Sequence, residues 1–177
     1  MKNTVLQKEL TDLLGERFTT SESVLVNFSK GEDAYDPVSP QAVVFPNSNE
    51  ELSKVLKLCN EHKTPVVPYG TGTSLEGHAV GNSKGITISL EKFDKILAVN
   101  AEDFDCRVQA NVSREQLNEN LKDRGIFFPI DPGANAALGG MAACSASGTM
   151  AVKYGTMRTV VMGLSLIHIS EPTRRYS

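Results

Sequence analysis

The sequence predicts an α+β domain, in which short strands are mixed with two or three covering helices. Two capping boxes, Ser48 with Glu51 and Ser113 with Gln116, each mark the start of a helix. Short apolar runs bounded by turn residues lie around these helices, as is typical of strands. A glycine-rich loop directly follows one such run, within residues 65–77.

Three helices are expected along the chain. Residues 5–14 carry apolar side chains at helical spacing and stop before Gly15. The first capping box predicts a helix that runs to about His62, and the second predicts a helix that ends at Gly125. One face of the middle helix is expected to be buried: Leu52, Val55, Leu56 and Cys59.

Five strands are expected, at residues 42–45, 66–69, 86–90, 96–99 and 104–110. The third and the fifth alternate apolar and polar residues, which is typical of a half-buried strand. The second is a short apolar run between prolines and is predicted to be buried.

The loop at residues 70–74, Gly-Thr-Gly-Thr-Ser, has almost no side-chain bulk. Its glycines allow successive N–H groups to form a concave nest that suits phosphate oxygens, and no carboxylate follows until Glu76. An ordinary strand–turn is the alternative. A P-loop is excluded because no lysine follows Gly77, and the dinucleotide fingerprint is excluded because Leu75 stands where its third glycine belongs.

A second segment, residues 133–149, is composed mainly of Gly, Ala and Ser. Small residues at this density allow backbone to press against a flat ligand or another backbone. The alternatives are a tightly packed helix or a linker, which the turn at Asp131 and the Tyr-Gly-Thr-Met-Arg sequence from Tyr154 disfavour.

Composition excludes several classes of protein. The 177 residues are 40% hydrophobic and 22% charged, as in a globular domain. A net charge of −3 argues against nucleic acid as a partner. Cys59, Cys106 and Cys144 are odd in number and form no Cys-x-x-Cys, so no disulfide framework or metal site is expected. No transmembrane segment or signal peptide is expected, which predicts a cytoplasmic location; peripheral membrane attachment is left open.

Five ordered motifs carry a family resemblance. They are Pro-Tyr-Gly-Thr-Gly-Thr-Ser-Leu-Glu-Gly, Phe-Pro-Ile-Asp-Pro-Gly-Ala, Gly-Gly-Met-Ala-Ala, Ala-Ser-Gly-Thr and Tyr-Gly-Thr-Met-Arg. Together they resemble the FAD-binding (PCMH-type) half of flavin-dependent D-lactate dehydrogenases and glycolate oxidase D-subunits, in the vanillyl-alcohol oxidase/p-cresol methylhydroxylase superfamily. The resemblance implies the N-terminal part of a two-subdomain fold, with non-covalent FAD between the subdomains.

The resemblance also implies which residues hold the cofactor. The backbone N–H groups of residues 70–74 are expected at the FAD diphosphate, and many family members carry Asn at the position of Ser145. The expected cofactor-binding residues are Pro68, Tyr69, Gly70, Thr71, Gly72, Thr73, Ser74, Leu75, Gly77, Asp131, Pro132, Gly133, Leu138, Gly139, Gly140, Ser145, Gly148, Tyr154 and Gly155.

No catalytic residue is assigned. His78 follows the loop and is interpreted as a histidine packed beside the cofactor rather than as a flavin attachment site or a base. Cys144 has no basic neighbour in sequence and is interpreted as a packing residue. Arg158 is equally consistent with an acidic ligand and with solvent.

The resemblance implies an oxidoreductase that transfers hydride from a D-2-hydroxy acid, most simply D-lactate, to flavin. In the intact enzyme a cytochrome, a quinone or an electron-transfer flavoprotein would accept the electrons. The alternatives are another oxidoreductase of the superfamily or a nucleotide-binding module without catalysis.

Three segments are expected. Residues 1–34 form a lead-in with the first helix, residues 35–164 an FAD-binding domain that is incomplete at its C-terminus, and residues 165–177 a tail. The tail resembles the translation of sequencing-adaptor DNA and is predicted to be foreign to the gene.

Overall fold

A computed structural model describes residues 4–165 of the chain. It contains two small packed units, each with its own hydrophobic core. The predicted tail lies outside the described residues except for Ser165.

The first unit is built on a mixed four-stranded sheet. Its strands are β1 (Phe18–Thr19), β2 (Ala42–Val44), β3 (Val66–Tyr69) and β4 (Ile86–Ser89), in the spatial order β1-β2-β4-β3. Strands β2 and β3 both run parallel to β4, whereas β1 is antiparallel to β2.

Two helices cover this sheet, α1 (Thr4–Leu14) and α3 (Asn49–Glu61), which contact each other. Their apolar stripes meet the sheet because Leu6 and Leu10 of α1 and Val55 of α3 lie in one buried cluster with strand residues such as Ile86. The short helix α2 (Glu22–Leu25) lies between β1 and β2 in the chain.

The second unit follows in sequence. Strands β5 (Ile96–Asn100) and β6 (Asp105–Val108) form an antiparallel hairpin, and α4 (Arg114–Leu121) comes next. Three short helices complete the unit: α5 (Leu138–Ala143), α6 (Ala151–Tyr154) and α7 (Met157–Val160). Its core joins residues of α4, α5 and α7, including Leu117, Met141 and Met157.

Both predicted helix starts are confirmed. Ser113 and Gln116 form the complete reciprocal capping box of α4. Ser48 caps α3 by accepting the N–H of Glu51, whereas the Glu51 carboxylate accepts the N–H of Asn47 instead of the N–H of the cap residue. The predicted face of α3 is confirmed in part: Val55 and Cys59 are buried, whereas Leu52 and Leu56 are partly buried and pack against the same cluster.

The burial of two predicted strands differs from expectation. Strand β4 is central and fully buried, because Thr87 and Ser89 are covered as completely as the apolar residues between them. Strand β3 is the edge of the sheet and only partly buried. The carbonyl groups of Pro65 and Tyr69 face β4, so the nitrogen of Pro68 faces the open edge, where no N–H is needed.

Two further local predictions need correction. Strand β6 begins at Asp105 and not at Phe104, because Phe104 has a positive φ of 55° and belongs to the turn. The small-residue segment 133–149 contains a packed helix after all, since residues 138–143 form α5.

Candidate functional site

The loop at residues 70–74 leaves the end of the edge strand β3 with its backbone donors unused. Within residues 4–165, the N–H groups of these five residues donate to no other group. The hydroxyl groups of Thr71 and Thr73 lie 3.3 Å apart on the same loop. Polar donors that face no protein acceptor are suited to an external anion.

The back of the loop packs against residues 30–33. The carbonyl of Gly72 accepts the N–H of Glu32 at 2.9 Å, and the hydroxyl of Tyr69 donates to the carbonyl of Lys30 at 3.2 Å. Gly72 has a φ of 72°, and a Cβ there would lie 2.9 Å from Cζ of Tyr69. Tyr69 therefore supports the loop from behind.

This packing brings carboxylates closer to the loop than sequence order suggests. Burial raises the pKa of Tyr69, and the charges of Asp33 and Glu32 raise it further. Asp33 is buried, and its carboxylate accepts the N–H groups of Gly31 and Tyr35. Asp33 and Glu32 are therefore charged neighbours of Tyr69 behind the loop, which the order of residues in the loop segment does not show.

The loop also contacts the second unit. The hydroxyl of Thr71 accepts the backbone N–H of Ala137, with Oγ1 and N 3.3 Å apart. A Cβ on Gly70 would lie 3.3 Å from both Cβ of Ala137 and Oδ1 of Asn111. Oδ1 of Asn111 is buried and has no hydrogen-bond partner among the described residues. No sequence pattern indicated Asn111, since only the fold brings it beside the loop.

The two glycines at the start of α5 differ in the space around their Cβ positions. A Cβ on Gly139 would lie 2.8 Å from Ala110, whose carbonyl accepts the Gly139 N–H. Gly140 faces open space, with nothing within 4 Å of its Cβ position. The side chain of Leu138 lies in the core, so only its backbone is available to a ligand.

The predicted turn at Asp131 is held by the protein itself. Its carboxylate accepts the Gly133 N–H at 3.0 Å and lies 3.6 Å from Nε of Arg114. A Cβ on Gly148 would lie 2.5 Å from the backbone nitrogen of Asp131. Gly148 thus allows close approach of its own backbone to this turn. Pro132 is exposed beside it.

A cluster of polar side chains lies at the end of the loop. Nδ1 of His78 is 2.8 Å from Oγ of Ser74 and 3.5 Å from Sγ of Cys144. The sequence showed no basic neighbour for Cys144, but the fold provides His78 across the two units. The next residue, Ser145, has a φ of 50°, a conformation in which Asn is enriched.

The remaining predicted site residues lie at the periphery. Leu75 is exposed, and a Cβ on Gly77 would meet the ring of Tyr35 at 2.8 Å. Tyr154 packs edge to face on Phe127, with ring centres 5.5 Å apart. Gly155 has a φ of 79° beside Thr159.

The described residues contain neither a group of three metal-ligating side chains nor a membrane-spanning helix. In the range 4–165, no three His, Cys, Asp or Glu side chains are grouped to hold a metal ion. None of the helices in that range is long and apolar enough to cross a bilayer.

The architecture is shared with solved structures of other proteins. It is similar to alkyldihydroxyacetonephosphate synthase, with a TM-score of 0.79 and 20% identity over 89% of this chain and 32% of that one. It is also similar to p-cresol methylhydroxylase, with a TM-score of 0.65 and 20% identity over 80% of this chain and 29% of that one. These likenesses confirm the expected fold.

Sequence comparison then gives the family. Residues 40–170 match the FAD binding domain family, and the chain belongs to it. FAD is therefore the cofactor, as the resemblance implied. The match extends into the segment predicted to be foreign, and the position of that boundary stays a prediction.

Several relatives of the chain are named D-lactate dehydrogenase or glycolate oxidase subunit. The chain is 43% identical over 152 residues to a probable mitochondrial D-lactate dehydrogenase of Danio rerio, covering 86% of this chain and 31% of that protein. It is 40% identical to a mitochondrial D-lactate dehydrogenase [cytochrome] of Arabidopsis thaliana, over 92% of this chain and 29% of that protein. A glycolate oxidase subunit of Bacillus subtilis is 28% identical, over 92% of this chain and 35% of that protein. The chain thus spans about a third of the length of these relatives.

The residues present fit FAD on physical grounds. The diphosphate needs clustered donors, which the unused N–H groups of residues 70–74 supply. The hydroxyl and amino groups of a dinucleotide need acceptors, and the buried Oδ1 of Asn111 is one without a partner in the described part of the chain. The Cβ position of Gly140 is open, so no protein atom excludes a ligand from the surface there.

Proposed function

We propose that the diphosphate of FAD lies on the loop at residues 70–74 and that this chain is the FAD-binding part of a D-lactate dehydrogenase. The single observation that supports the placement is the run of five N–H groups without a protein acceptor in the described range. Backbone donors cannot be lost by side-chain rotation, and they cost little to organise because Tyr69 and Glu32 already hold the loop.

The other predicted residues have distinct roles in this proposal. The backbone of Gly140 and the turn from Cys144 to Ser145 face the cofactor from the second unit. Asn111 accepts a hydrogen bond from a cofactor hydroxyl or amino group. Gly139, Gly148 and Leu138 act indirectly, because their own contacts are to protein. We propose that the binding is non-covalent, with His78 as a neighbour of the cofactor.

The proposed reaction oxidises D-lactate to pyruvate. The flavin supplies the hydride-accepting chemistry when bound, and the described residues bind and orient it. Substrate contacts, catalytic groups and the acceptor site are assigned to the rest of a protein as long as the relatives. The chain itself contributes the placement of the cofactor between its two units.

The relatives favour D-lactate over the other candidate substrates. The Danio and Arabidopsis relatives named D-lactate dehydrogenase are 43% and 40% identical to the chain, whereas the glycolate oxidase subunit is 28% identical. A D-lactate dehydrogenase [cytochrome] of Saccharomyces cerevisiae is 42% identical, over 72% of this chain and 22% of that protein. A non-catalytic nucleotide-binding module is disfavoured for the same reason. Cytochrome appears in the names of the Arabidopsis and Saccharomyces relatives, so we propose a cytochrome as electron acceptor. Mitochondrial is also part of those names, and the cytoplasmic location of this chain stays a prediction.

The loop placement is tested by adding a carboxylate beside it. Thr73→Glu puts a negative charge next to the unused N–H groups and should weaken FAD binding at least about tenfold. Thr20→Glu adds the same charge at an exposed position of the first unit and should leave binding unchanged. Both variants are compared with the parent by flavin absorbance per protein and by FAD titration. Equal FAD binding by Thr73→Glu and the parent would show that the loop does not bind the FAD diphosphate.

Gly140 allows a second test that does not disturb packing. Gly140→Asp should block the cofactor without strain, because its Cβ position is open and an acidic residue is favourable in the first turn of a helix. Gly163→Asp is the matched control, since its Cβ position is also open.

Substrate choice is tested on a protein of the relatives' length that carries this sequence. Dye reduction is measured with D-lactate, L-lactate, glycolate and D-2-hydroxyglutarate, followed by reduction of cytochrome c. Preference for D-lactate supports the proposal. Preference for glycolate or D-2-hydroxyglutarate replaces it with another member of the superfamily, and FAD binding without any turnover favours the non-catalytic module.

A further inference from the structure

His78 and Cys144 form a pair of metal-ligating side chains, and the FAD proposal gives neither side chain a hydrogen bond or a chemical role. His78 follows the glycine loop of the first unit, and Cys144 ends α5 of the second. Sγ and Nδ1 are 3.5 Å apart, and Oγ of Ser74 is 2.8 Å from the same nitrogen. Both the imidazole and the thiol are exposed to solvent.

The separation of the sulfur and the nitrogen matches one edge of a zinc coordination tetrahedron. Zinc binds cysteine sulfur at about 2.3 Å and histidine nitrogen at about 2.0–2.1 Å, so a tetrahedral angle separates the two ligands by about 3.5–3.6 Å. The observed 3.5 Å therefore needs little rearrangement. The same separation suits an S–H···N hydrogen bond, but Nδ1 already has a closer partner in the Ser74 hydroxyl.

We propose that Cys144 and His78 form an inhibitory binding site for Zn²⁺ or a similar thiophilic divalent cation. Cys144 loses its thiol proton to solvent and its sulfur forms the metal–sulfur bond, while neutral His78 donates the lone pair of Nδ1. The Ser74 hydroxyl releases Nδ1 and turns to the ion or to a bound water. The two protein ligands leave two positions of the tetrahedron open, and water or the Ser74 hydroxyl fills them.

The position of this site predicts an effect of the bound ion on FAD binding. A bound ion links the end of the glycine loop to the end of α5, beside Ser145. This consequence rests on the proposed function, in which Ser74 and Ser145 face FAD. Zinc and FAD should then compete for the same space, and the ion should act as a reversible inhibitor of cofactor loading.

Binding of the ion is measured first, on the reduced 177-residue chain without FAD. Zinc is titrated in competition with a chromophoric chelator, and Co²⁺ replaces it for spectroscopy. We expect one ion per chain and a thiolate-to-cobalt charge-transfer band. Cys144→Ser should abolish the band, and both Cys144→Ser and His78→Gln should weaken binding about 100-fold, since the loss of a neighbour of a metal ligand already costs about 10–100-fold.

Matched variants control for non-specific binding and misfolding. Cys106→Ser changes a half-buried cysteine, and His62→Gln changes a histidine whose Nε2 is 2.7 Å from Glu9. Both should bind zinc as the parent does. Circular dichroism should show that Cys144→Ser and His78→Gln remain folded, because both side chains are exposed. Absence of a tight ion, or equal binding by all four variants, overturns the site.

Competition is measured separately. With zinc at ten times its own dissociation constant, the apparent dissociation constant for FAD should rise about elevenfold in the parent and remain unchanged in Cys144→Ser. If zinc binds without this rise, the metal site exists but does not inhibit cofactor loading. Ser74 would then not contact the cofactor. Failure of FAD binding in the absence of zinc would instead count against the proposed function alone.

Discussion

The hydroxyl of Thr71 accepts a hydrogen bond from the backbone N–H of Ala137, with the two atoms 3.3 Å apart. Thr71 belongs to the glycine loop of the first unit, and Ala137 precedes α5 in the second. The contact therefore fixes the unused N–H groups of the loop relative to the open face of α5. Because Ala137 is buried, its N–H group would otherwise lack an acceptor.

Removing this acceptor should destabilise the chain. Thr71→Val keeps the shape of the side chain but leaves the buried N–H unpaired, which should cost about 1 kcal/mol of unfolding free energy. Thr73→Val is the matched control, because the Thr73 hydroxyl bonds only to that of Thr71 among the described residues and is exposed. Urea unfolding of both variants is the measurement. Equal stability of the two would show that the Thr71 bond does not join the units.

Gly72 should be intolerant of alanine even without a cofactor. Its φ of 72° is unfavourable for a residue with a Cβ, and that Cβ would meet the Tyr69 hydroxyl first. We expect Gly72→Ala to lower the unfolding free energy by about 1–3 kcal/mol. Tyr69→Phe in the same chain should recover part of the loss, since the hydroxyl is the nearest atom. A fully stable Gly72→Ala protein would contradict the loop conformation.

Much of the fold follows from local rules in the sequence. The capping serines Ser48 and Ser113 and the stop at Gly15 predicted the helix boundaries because cap chemistry is local. The glycine loop was identifiable because glycine permits backbone conformations closed to other residues, such as the positive φ of Gly72. Strand positions were also predicted from apolar runs, apart from the start at Phe104.

The remaining features depend on contacts between distant parts of the chain. The order β1-β2-β4-β3 decides that β3 is an edge and β4 is central, and no local pattern contains that order. Thr87 looked like a solvent-facing residue but is fully buried by its neighbours. His78 and Cys144 are 66 residues apart in sequence, as are Thr71 and Ala137, so their contacts required the fold.

Ser145 is in a backbone conformation that suits other residues better. At its φ of 50°, a Cβ costs about 1 kcal/mol relative to glycine, and Asn is the side chain that tolerates this region best. Ser145→Gly and Ser145→Asn should each raise the unfolding free energy by about 0.5–1 kcal/mol, and the thermal midpoint should rise with it. Ser147→Asn, at an exposed position without a positive φ, should change nothing. A lower midpoint for Ser145→Asn would indicate that the serine hydroxyl has a structural role.

The ion pair between Arg17 and Glu51 should make the free energy of unfolding depend on pH in the acid range. Nη2 of Arg17 lies 2.7 Å from Oε1 of Glu51, and Nη1 contacts Oε2. Hydrogen bonding from Arg17 and from the Asn47 N–H lowers the pKa of Glu51 from 4.5 to about 2.

Because the pKa is lower in the folded chain, the unfolded chain binds more protons between these two values. The stabilisation by Glu51 is therefore complete above about pH 4.5 and is lost as the pH falls towards 2. Glu51→Gln should remove this part of the acid dependence and lower the unfolding free energy at neutral pH by about 1 kcal/mol, since the pair is partly exposed. Glu50→Gln, on an exposed residue of the same helical turn, is the control and should retain the dependence. Urea unfolding between pH 2 and pH 7 is the measurement, and identical pH profiles for the parent and Glu51→Gln would mean that the pair does not stabilise the fold.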